Sequence, residues 1–559
     1  MSGTDQLRDR PWLVLTVLCT GFFMIILDTT MVNAAIPVMS HDLGSGLREA
    51  LWVVNSYVLA YAAFLITAGR LGDRFGPKRL YLTGLVIFTA ASGLCGTAGS
   101  ADELIALRVV QGLGAALLTP QTSSFIVVLF PADRRGTAFG VWSGVIGLAA
   151  VAGPLVGGVL VATAGWEWIF LLNVPVGVVA LVWAALVVPD HRPRVRHRWD
   201  FTGTLLATSG LAALSYGLLE FRRMSTGGPA GTTAPLAALV AGVVLLIAFV
   251  AQQRTNHREP LVPHALYGQR DFVRATVVGA GVHFAVVGTA LPLLFFLQSV
   301  LGNAPLAAAQ VTAPSALAVG LVALVVGRLS NGVRTKSLLV TGLVAYAAGL
   351  AATVACAEPG MNAWRLLPAM LLADAGIGCT LAPVAKIALG DITPSVTAGA
   401  SGVLNTARQV GGLLGGVAVG SLLHIRLVAD LRSHADAAAA GLPRSLRSTF
   451  TDAFSGAAAD GITRPPVPTG LSPAEAVHFR ALADNAFQHA FVDAWRTSMV
   501  LPVAVIVLCC LVSRGLSTGN GTAAMSRRRR GRHARRRVRH AAGHRPGSFA
   551  TNPGGPSSP

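Results

Sequence analysis

An aspartate lies well inside the first long apolar stretch of the chain, where Asp28 sits in the run Leu27-Asp28-Thr29-Thr30. A charge at the centre of a membrane-spanning helix costs roughly 2.5–3.5 kcal/mol, so an acid at this depth is a candidate for function. Because burial favours the neutral form of a carboxyl group, Asp28 could take up and release protons. The alternative is a structural carboxyl that only hydrogen-bonds a neighbouring helix.

A basic and an amide side chain share one helical face in the fourth apolar stretch. Arg108, Gln111, Gly112 and Ala115 are spaced three or four residues apart, so they lie on the same side of a helix. An arginine at this depth needs a negative or polar partner. Asp28 is the nearest candidate by residue type, and a pairing between the two groups could couple protonation to movement.

Asp374 is a second acid within an apolar stretch, and three interpretations stay open for it. It could be another proton site, a carboxylate that binds a cation, or the partner in a local hydrogen bond between helices. The sequence shows no nucleophile with a base in helical register, no metal-ligand spacing and no phosphate-binding Gly-x-x-x-x-Gly-Lys-Ser/Thr loop. We therefore expect neither an enzyme nor an ATP-driven machine.

The composition places these residues in a membrane protein. The 559 residues are 53% hydrophobic and 12% charged, whereas about a quarter of the residues in a soluble domain are charged. Apolar stretches long enough to cross a ~30 Å hydrocarbon core recur between 11 and 514, and lipid requires them to be helical. A β-barrel fits poorly, because segments such as 80–99 are apolar on all sides. We predict an all-α integral membrane protein with fourteen transmembrane helices.

The order of the apolar stretches predicts two six-helix bundles, at 11–188 and 271–514, with two helices inserted in a linker at 189–270. Segments 69–73 and 112–117 resemble 327–331 and 376–381 weakly but in order, which indicates parallel repeats. Within the second bundle we predict a long external loop at 425–489. A capping-box spacing at Ser472-Pro473-Ala474-Glu475 predicts a helix start inside that loop.

The basic residues indicate how the chain is oriented. Loops on one predicted side carry 19 Lys and Arg residues against 4 in the short loops on the other side, so both termini, 1–10 and 515–559, should be cytoplasmic. We expect the protein in the inner (cytoplasmic) cell membrane. Nine arginines fall between 527 and 539 and account for much of the net charge of +19. We expect this disordered tail to contact the anionic inner leaflet rather than nucleic acid.

The segment 69–79, Gly-Arg-Leu-Gly-Asp-Arg-Phe-Gly-Pro-Lys-Arg, lies between the second and third apolar stretches. It resembles the loop signature of the major facilitator superfamily, although Pro77 replaces a basic residue that is common there. The first, fourth, fifth and thirteenth stretches resemble the fourteen-span drug:proton antiporters of that superfamily, the EmrB/QacA type. The start of the sixth stretch, with Trp166, Phe170 and Asn173, is similar to the same branch. In the fifth stretch Ala149 stands where the motif often has glycine.

The resemblance implies a major facilitator fold and three groups of functional residues. The proton-coupling and substrate residues would be Asp28, Asn33, Arg108, Gln111, Asp374, Asn405 and Arg408. The gating loop would comprise Gly69, Asp73, Arg74, Gly76, Arg79 and Arg135. The tight helix packing of the antiporter motif would prevent protons from leaking through the protein. This motif would comprise Gly140, Gly153, Pro154, Gly157 and Gly158. Asp73 could meet the positive N-terminus of a neighbouring helix and a nearby arginine, such as Arg74 or Arg135.

These observations predict a secondary active exporter that exchanges protons for drugs, antibiotics or similar amphipathic small molecules by alternating access. The alternative is a symporter that imports a small metabolite on the same fold. We expect no cofactor, because a proton gradient would supply the energy. The expected partners are the small-molecule substrate, protons and the lipid bilayer, and we expect the protein to be a monomer.

Overall fold

The computed structural model describes residues 10–45, 47–190, 200–220, 229–256, 260–262, 264–331, 334–393, 396–442, 447–448, 450–451, 454 and 472–517. Within these ranges the secondary structure is helical and contains no β-strand. The prediction of an all-α protein is confirmed. The Arg-rich segment 527–539 and most of the N-terminal segment 1–10 lie outside the described residues.

The first part of the chain forms seven helices, of which two short ones follow each other as a single span. The helices are α1 (Pro11–Asp42), α2 (Leu47–Phe75), α3 (Pro77–Cys95), α4 (Ala101–Leu129), α5 (Arg135–Thr163), α6 (Glu167–Leu171) and α7 (Asn173–Val187). The turn between α2 and α3 depends on Gly76, whose φ of 95° is unfavourable for residues with a side chain. Ser100 begins α4 by accepting a hydrogen bond from the Glu103 backbone amide.

The rest of the described chain contains nine helices, a π-helical segment (Phe296–Val300) and a 3₁₀ turn (Ala363–Leu366). The helices are α8 (Phe201–Glu220), α9 (Pro229–Thr255), α10 (His264–Tyr267), α11 (Arg270–Phe295), α12 (Pro305–Leu329), α13 (Thr335–Ala355), α14 (Leu367–Leu389), α15 (Thr397–Ala439) and α16 (Pro473–Arg514). Helices α8 and α9 pack on each other as a hairpin, and α8 also contacts α2.

Thirteen helical segments in the described residues are long and apolar enough to cross a membrane. Helix α3 is not among them: its 19 residues begin with Pro77, Lys78 and Arg79, which lower its apolar content. The chain is a multi-pass membrane protein, and the count of fourteen spans stays a prediction.

Helix packing joins the first helical group, α1–α7, to the later group, α11–α16, most extensively through two pairs of helices. Helix α2 packs against α15, and α5 packs against α12. Small residues permit these contacts: a Cβ on Gly402 would lie 2.7 Å from the Leu65 carbonyl oxygen, and one on Gly140 would lie 2.7 Å from the Gly327 Cα. We refer to α1–α7 and α11–α16 as the two halves.

Helices α15 and α16 correct the predicted loop at 425–489. They contain 43 and 42 residues, so each is about 60 Å long at 1.5 Å per residue, about twice the hydrocarbon thickness. Their extensions pack together through Leu427 and Leu431 on α15 and Phe479 and Phe487 on α16. The predicted helix start at Ser472 is confirmed, because the reciprocal capping-box hydrogen bonds with Glu475 are both present. Leucines four residues apart form the apolar stripe of α15, and charged residues between them obscured it in the sequence.

Candidate functional site

Asp28 on α1 and Arg108 on α4 form an ion pair in the interior of the first half. The Oδ2 of Asp28 lies 2.6 Å from the Nη1 of Arg108, and both side chains are 0% exposed. Gln111, one turn after Arg108, donates from Nε2 to the Asp28 Oδ1 at 3.0 Å and accepts from the Arg108 Nη1 at 2.7 Å. The three side chains, which the sequence placed on two separate helices, therefore form one closed network.

Asn173 brings two more helices into this network. Its Nδ2 donates to the Asp28 Oδ1 at 3.0 Å and to the Ser92 hydroxyl at 3.1 Å. Ser92 on α3 donates in turn to the Phe170 carbonyl at 2.9 Å. Asn173 entered the sequence analysis only through a resemblance, and Ser92 was missed because nothing in its local sequence separates it from other serines in apolar helices.

Aromatic rings and a backbone carbonyl enclose the Arg108 guanidinium. Its Nε donates to the Val53 carbonyl on α2 at 3.1 Å. The guanidinium carbon lies 4.2 Å from the Tyr57 ring centroid and 5.7 Å from that of Phe170, within the range of cation–π attraction. The Arg108 Nη2 has no hydrogen-bond partner among the described residues. Arg108 is thus held by α2, α4 and the α6–α7 region even apart from Asp28.

This network can act as a two-state switch. Arg108, Gln111 and Asn173 all donate to the Asp28 carboxylate, and hydrogen bonds to a charged acceptor are stronger than neutral ones. Protonation removes the charge that attracts Arg108. Removing one partner from a buried ion pair typically costs 3–5 kcal/mol, about the energy that separates two conformations of a protein. We call Asp28, Arg108, Gln111 and Asn173 the Asp28 cluster.

Other residues predicted for proton coupling or substrate binding lie elsewhere. Asn33 is exposed, and its Nδ2 donates to the Thr29 carbonyl at 3.3 Å. Asn405 on α15 donates to the Ser401 carbonyl at 2.9 Å. Asp374 lies on α14 in the second half. Within the described residues, none of these three bonds to the Asp28 cluster.

Arg408 is a buried arginine in the second half. It lies on α15, is 4% exposed, and its Nε has no hydrogen-bond partner in the described part of the chain. It interacts electrostatically with Tyr61 of α2 and with His283 of α11. Arg408 therefore faces the interface between the two halves, whereas Arg108 is enclosed within the first.

Asp73 links the halves at the C-terminal end of α2. Its Oδ1 accepts from the Ala398 amide at 3.1 Å and its Oδ2 from the Gly399 amide at 2.9 Å. These amides belong to the first turn of α15, where the helix dipole is positive. The sequence predicted contact with a helix N-terminus, and the structure places Asp73 at one in the opposite half. Gly69 packs against Ala398 and Gly399 next to this contact.

The predicted gating arginines have different positions. Arg135, at the start of α5, donates to the Val127 carbonyl at 2.8 Å, to the Phe130 carbonyl at 3.1 Å and, across the interface, to the Gly390 carbonyl. Its hydrogen bonds are thus with carbonyls, and it also interacts electrostatically with Asp391. Arg70 interacts electrostatically with Asp73. Arg74 lies over the ring of Phe75, and Arg79 is exposed.

Helix α5 changes neighbours along its length. Toward its start Gly140 packs against Gly327 of α12, in the opposite half. Toward its end Gly153 meets Thr30 and Gly157 meets Met31, both on α1 and close in sequence to Asp28. One rigid helix therefore contacts both the interface and the helix that carries the Asp28 cluster.

Two residues of the predicted antiporter motif face outward. Pro154 and Gly158 are exposed, and a Cβ added to Gly158 would have no atom within 4 Å. In this conformation Gly140, Gly153 and Gly157 are packed tightly against other helices, and Gly158 is not.

Comparison with known proteins finds one family model and several related chains. The family model described as Major Facilitator Superfamily matches residues 18–416. A Mycobacterium tuberculosis protein, the uncharacterized MFS-type transporter Rv1250, is 40% identical over 81% of this chain and 79% of its own length. The tetracenomycin C resistance and export protein of Streptomyces glaucescens is 34% identical over 75% of this chain and 77% of its own.

Among solved structures, the human organic anion transporter MFSD10 has a similar fold. It superposes with a TM-score of 0.54 over 90% of this chain and all of its own, at 11% sequence identity. At that identity the likeness concerns the fold alone.

Proposed function

Because this chain belongs to the major facilitator superfamily and is a membrane transporter rather than an enzyme, we propose that it exports drugs, antibiotics or similar amphipathic small molecules in exchange for protons. The relative that exports tetracenomycin C supports the direction and the substrate class. The observation that supports proton coupling is the fully buried ion pair of Asp28 and Arg108 in a network of side-chain hydrogen bonds.

The proposed cycle begins from the conformation described here. The end of the molecule that contains Asp73 and Arg135 is closed, because both residues bond across the two halves. With that end cytoplasmic, an external proton reaches Asp28, breaks its pairing with Arg108 and loosens α1 against Gly153 and Gly157 of α5. Helix α5 then transmits the change to its contact with α12, the inner side opens, and release of the proton restores the ion pair.

The proton gradient supplies enough energy for this cycle. One pH unit corresponds to about 1.4 kcal/mol and 100 mV to about 2.3 kcal/mol for one charge. Together, about 3.7 kcal/mol per proton supports a several-hundredfold gradient of a neutral substrate. No cofactor is needed. The proposal includes a monomer in the cytoplasmic cell membrane with both termini inside and the basic tail at the inner leaflet.

Proton flux in everted membrane vesicles tests this function. After a pH gradient has been formed, addition of a substrate, chosen from a panel of amphipathic antibiotics, should dissipate part of it. Asp28→Asn should abolish that flux, while Asp28→Glu, which keeps a titratable group, should retain some of it. Asp436→Asn is the matched control, because Asp436 is an exposed acid in the second half. Membrane content of each variant is measured alongside.

The same vesicles distinguish the alternatives. In everted vesicles with an acidic interior, the proposed antiporter would accumulate substrate inside as protons leave, whereas an importing symporter would carry substrate out of the vesicles together with the protons. Asp28→Asn vesicles with normal protein content and unchanged substrate-dependent proton flux would refute the role of Asp28.

A further inference from the structure

A cavity lies inside the second half, enclosed by α11, α12, α13, α14 and α16. Its volume is about 360 Å³, near the lower end of the range for small-molecule sites. Asp374 borders it together with Thr289, Tyr346, Trp495 and Met499. The Asp28 cluster is in the other half, so this cavity is a separate place in the fold.

We propose that this cavity binds an amphipathic monocation, with the Asp374 carboxylate as the counter-charge. Asp374 is the one acid on the cavity wall, and no lysine, arginine or histidine lines it in the described part of the chain. Within the same residues no base forms an ion pair with Asp374. The Ser315 hydroxyl, which donates to the Thr312 carbonyl at 2.9 Å, lies close enough to interact with the carboxyl.

The aromatic residues of the cavity fit such a ligand. Tyr346 and Trp495 are each 1% exposed and border the space. One face of the Trp495 ring stacks on Phe296, with the ring centroids 4.5 Å apart, and aromatic rings beside the cavity can attract a desolvated cation. The indole Nε1 of Trp495 has no hydrogen-bond partner among the described residues. An unpaired buried donor costs about 1–3 kcal/mol, and an acceptor atom on the ligand would remove that cost. The site thus suits a cation that also carries aromatic or aliphatic bulk and an acceptor.

The cavity adjoins a groove on the outer surface between α13 and α16. Val354 and Met499 line both spaces. The groove is otherwise formed mainly by apolar side chains such as Ala351 and Val500, and Val500 is 65% exposed. On a membrane-spanning helix such a surface faces lipid. An amphipathic cation partitioned in the bilayer would therefore reach Asp374 sideways, between the two helices.

Arg496 stands at one end of this groove and would repel a cation if its charge were uncompensated. It lies 3.8 Å from Asp493 and donates to the Ala357 carbonyl at 3.0 Å. Asp493 offsets part of this charge, and the hydrogen bond to the carbonyl helps to hold the guanidinium in place. The role of the bound cation as a transported substrate rests on the proposed export function. Its binding can be measured without a proton gradient.

Binding of a matched pair of probes to the purified protein in lipid nanodiscs tests the proposal. The probes are phenylbutyltrimethylammonium and its uncharged isostere, in which carbon replaces the quaternary nitrogen. Asp374→Asn should weaken binding of the cation about tenfold or more, because one partner of a charge pair is lost, and change binding of the isostere less than about twofold. Asp374→Glu should keep binding of the cation, and the exposed Asp436→Asn should change neither probe.

A second variant tests the lateral route. Val354→Trp would fill the junction of groove and cavity, so association of the cation should slow about tenfold while Asp374 keeps its charge. Equal losses for both probes in Asp374→Asn, or absence of cation binding by the wild-type protein, would overturn the proposal. Neither result would affect the proton flux assigned to Asp28, which is measured with other substrates.

Discussion

Replacing Asp73 by asparagine should open the closed end of the molecule. The carboxylate accepts two backbone amides, at 3.1 and 2.9 Å, from the first turn of α15 in the opposite half. Asparagine keeps one acceptor oxygen and loses the charge. A charge at a helix N-terminus contributes up to ~2 kcal/mol when partly buried, and a hydrogen bond to a charged group about 1.5–3 kcal/mol. We expect the closed state to lose about 2 kcal/mol, which is roughly a 30-fold change in the ratio of closed to open molecules.

Pulsed electron paramagnetic resonance can measure that change directly. Spin labels at the exposed residues Arg79 and Arg328 would report the distance between the halves at this end, after the exposed Cys356 is replaced by serine. Asp73→Asn should shift population from the short to the long distance. Asp133→Asn, an exposed acid before α5, is the matched control. An unchanged distance distribution in Asp73→Asn would refute the inference that this carboxylate holds the end shut.

Two further substitutions test packing. Gly153→Ala should destabilise the protein by about 1–3 kcal/mol and reduce transport, because the new Cβ would overlap Thr30. Gly158→Ala should change neither thermal unfolding nor transport, because the new Cβ would meet no atom. Similar effects of the two variants would contradict the inference that Gly153 faces α1 and Gly158 faces outward. Phe479→Ala should lower the stability of the α16 extension by about 3–5 kcal/mol, because Phe479 is 0% exposed, and the loss should be measurable as faster amide exchange there. Val477→Ala should have little effect, because Val477 is 70% exposed. Unaltered exchange in Phe479→Ala would mean that this extension does not depend on the shared apolar core.

In the proposed cycle, the packing of α5 couples its two ends. Gly140 sits against the opposite half, and Gly157 against Met31, three residues from Asp28. Because packed helices are rigid, a shift of α1 by the loss of an ion pair changes the space available to α5 along its whole length. A coupling of this kind needs no direct contact between Asp28 and Asp73.

The pairing of Asp28 with Arg108 was predictable because lipid leaves few choices. A charge within an apolar helix must find a partner, and the sequence contains few buried charges that could serve. The same reasoning could not find Ser92 or the Val53 carbonyl, since serines and backbone carbonyls occur throughout the chain. It also could not show that Asp374 and Asn33 lie apart from the Asp28 cluster, on α14 and on the exposed face of α1.

The sequence by itself determined that the chain is helical, that it lies in a membrane, and which charged residues in its helices need partners. These properties follow from hydropathy and from the cost of burying charge, which depend on local composition. Only the tertiary structure decided that Gly153 faces Thr30 while Gly158 faces outward, that α15 and α16 extend beyond the membrane as a pair, and that Asp374 borders a cavity. Such features depend on how helices distant in sequence are rotated and packed against each other, and residue type and spacing along one helix do not specify that rotation.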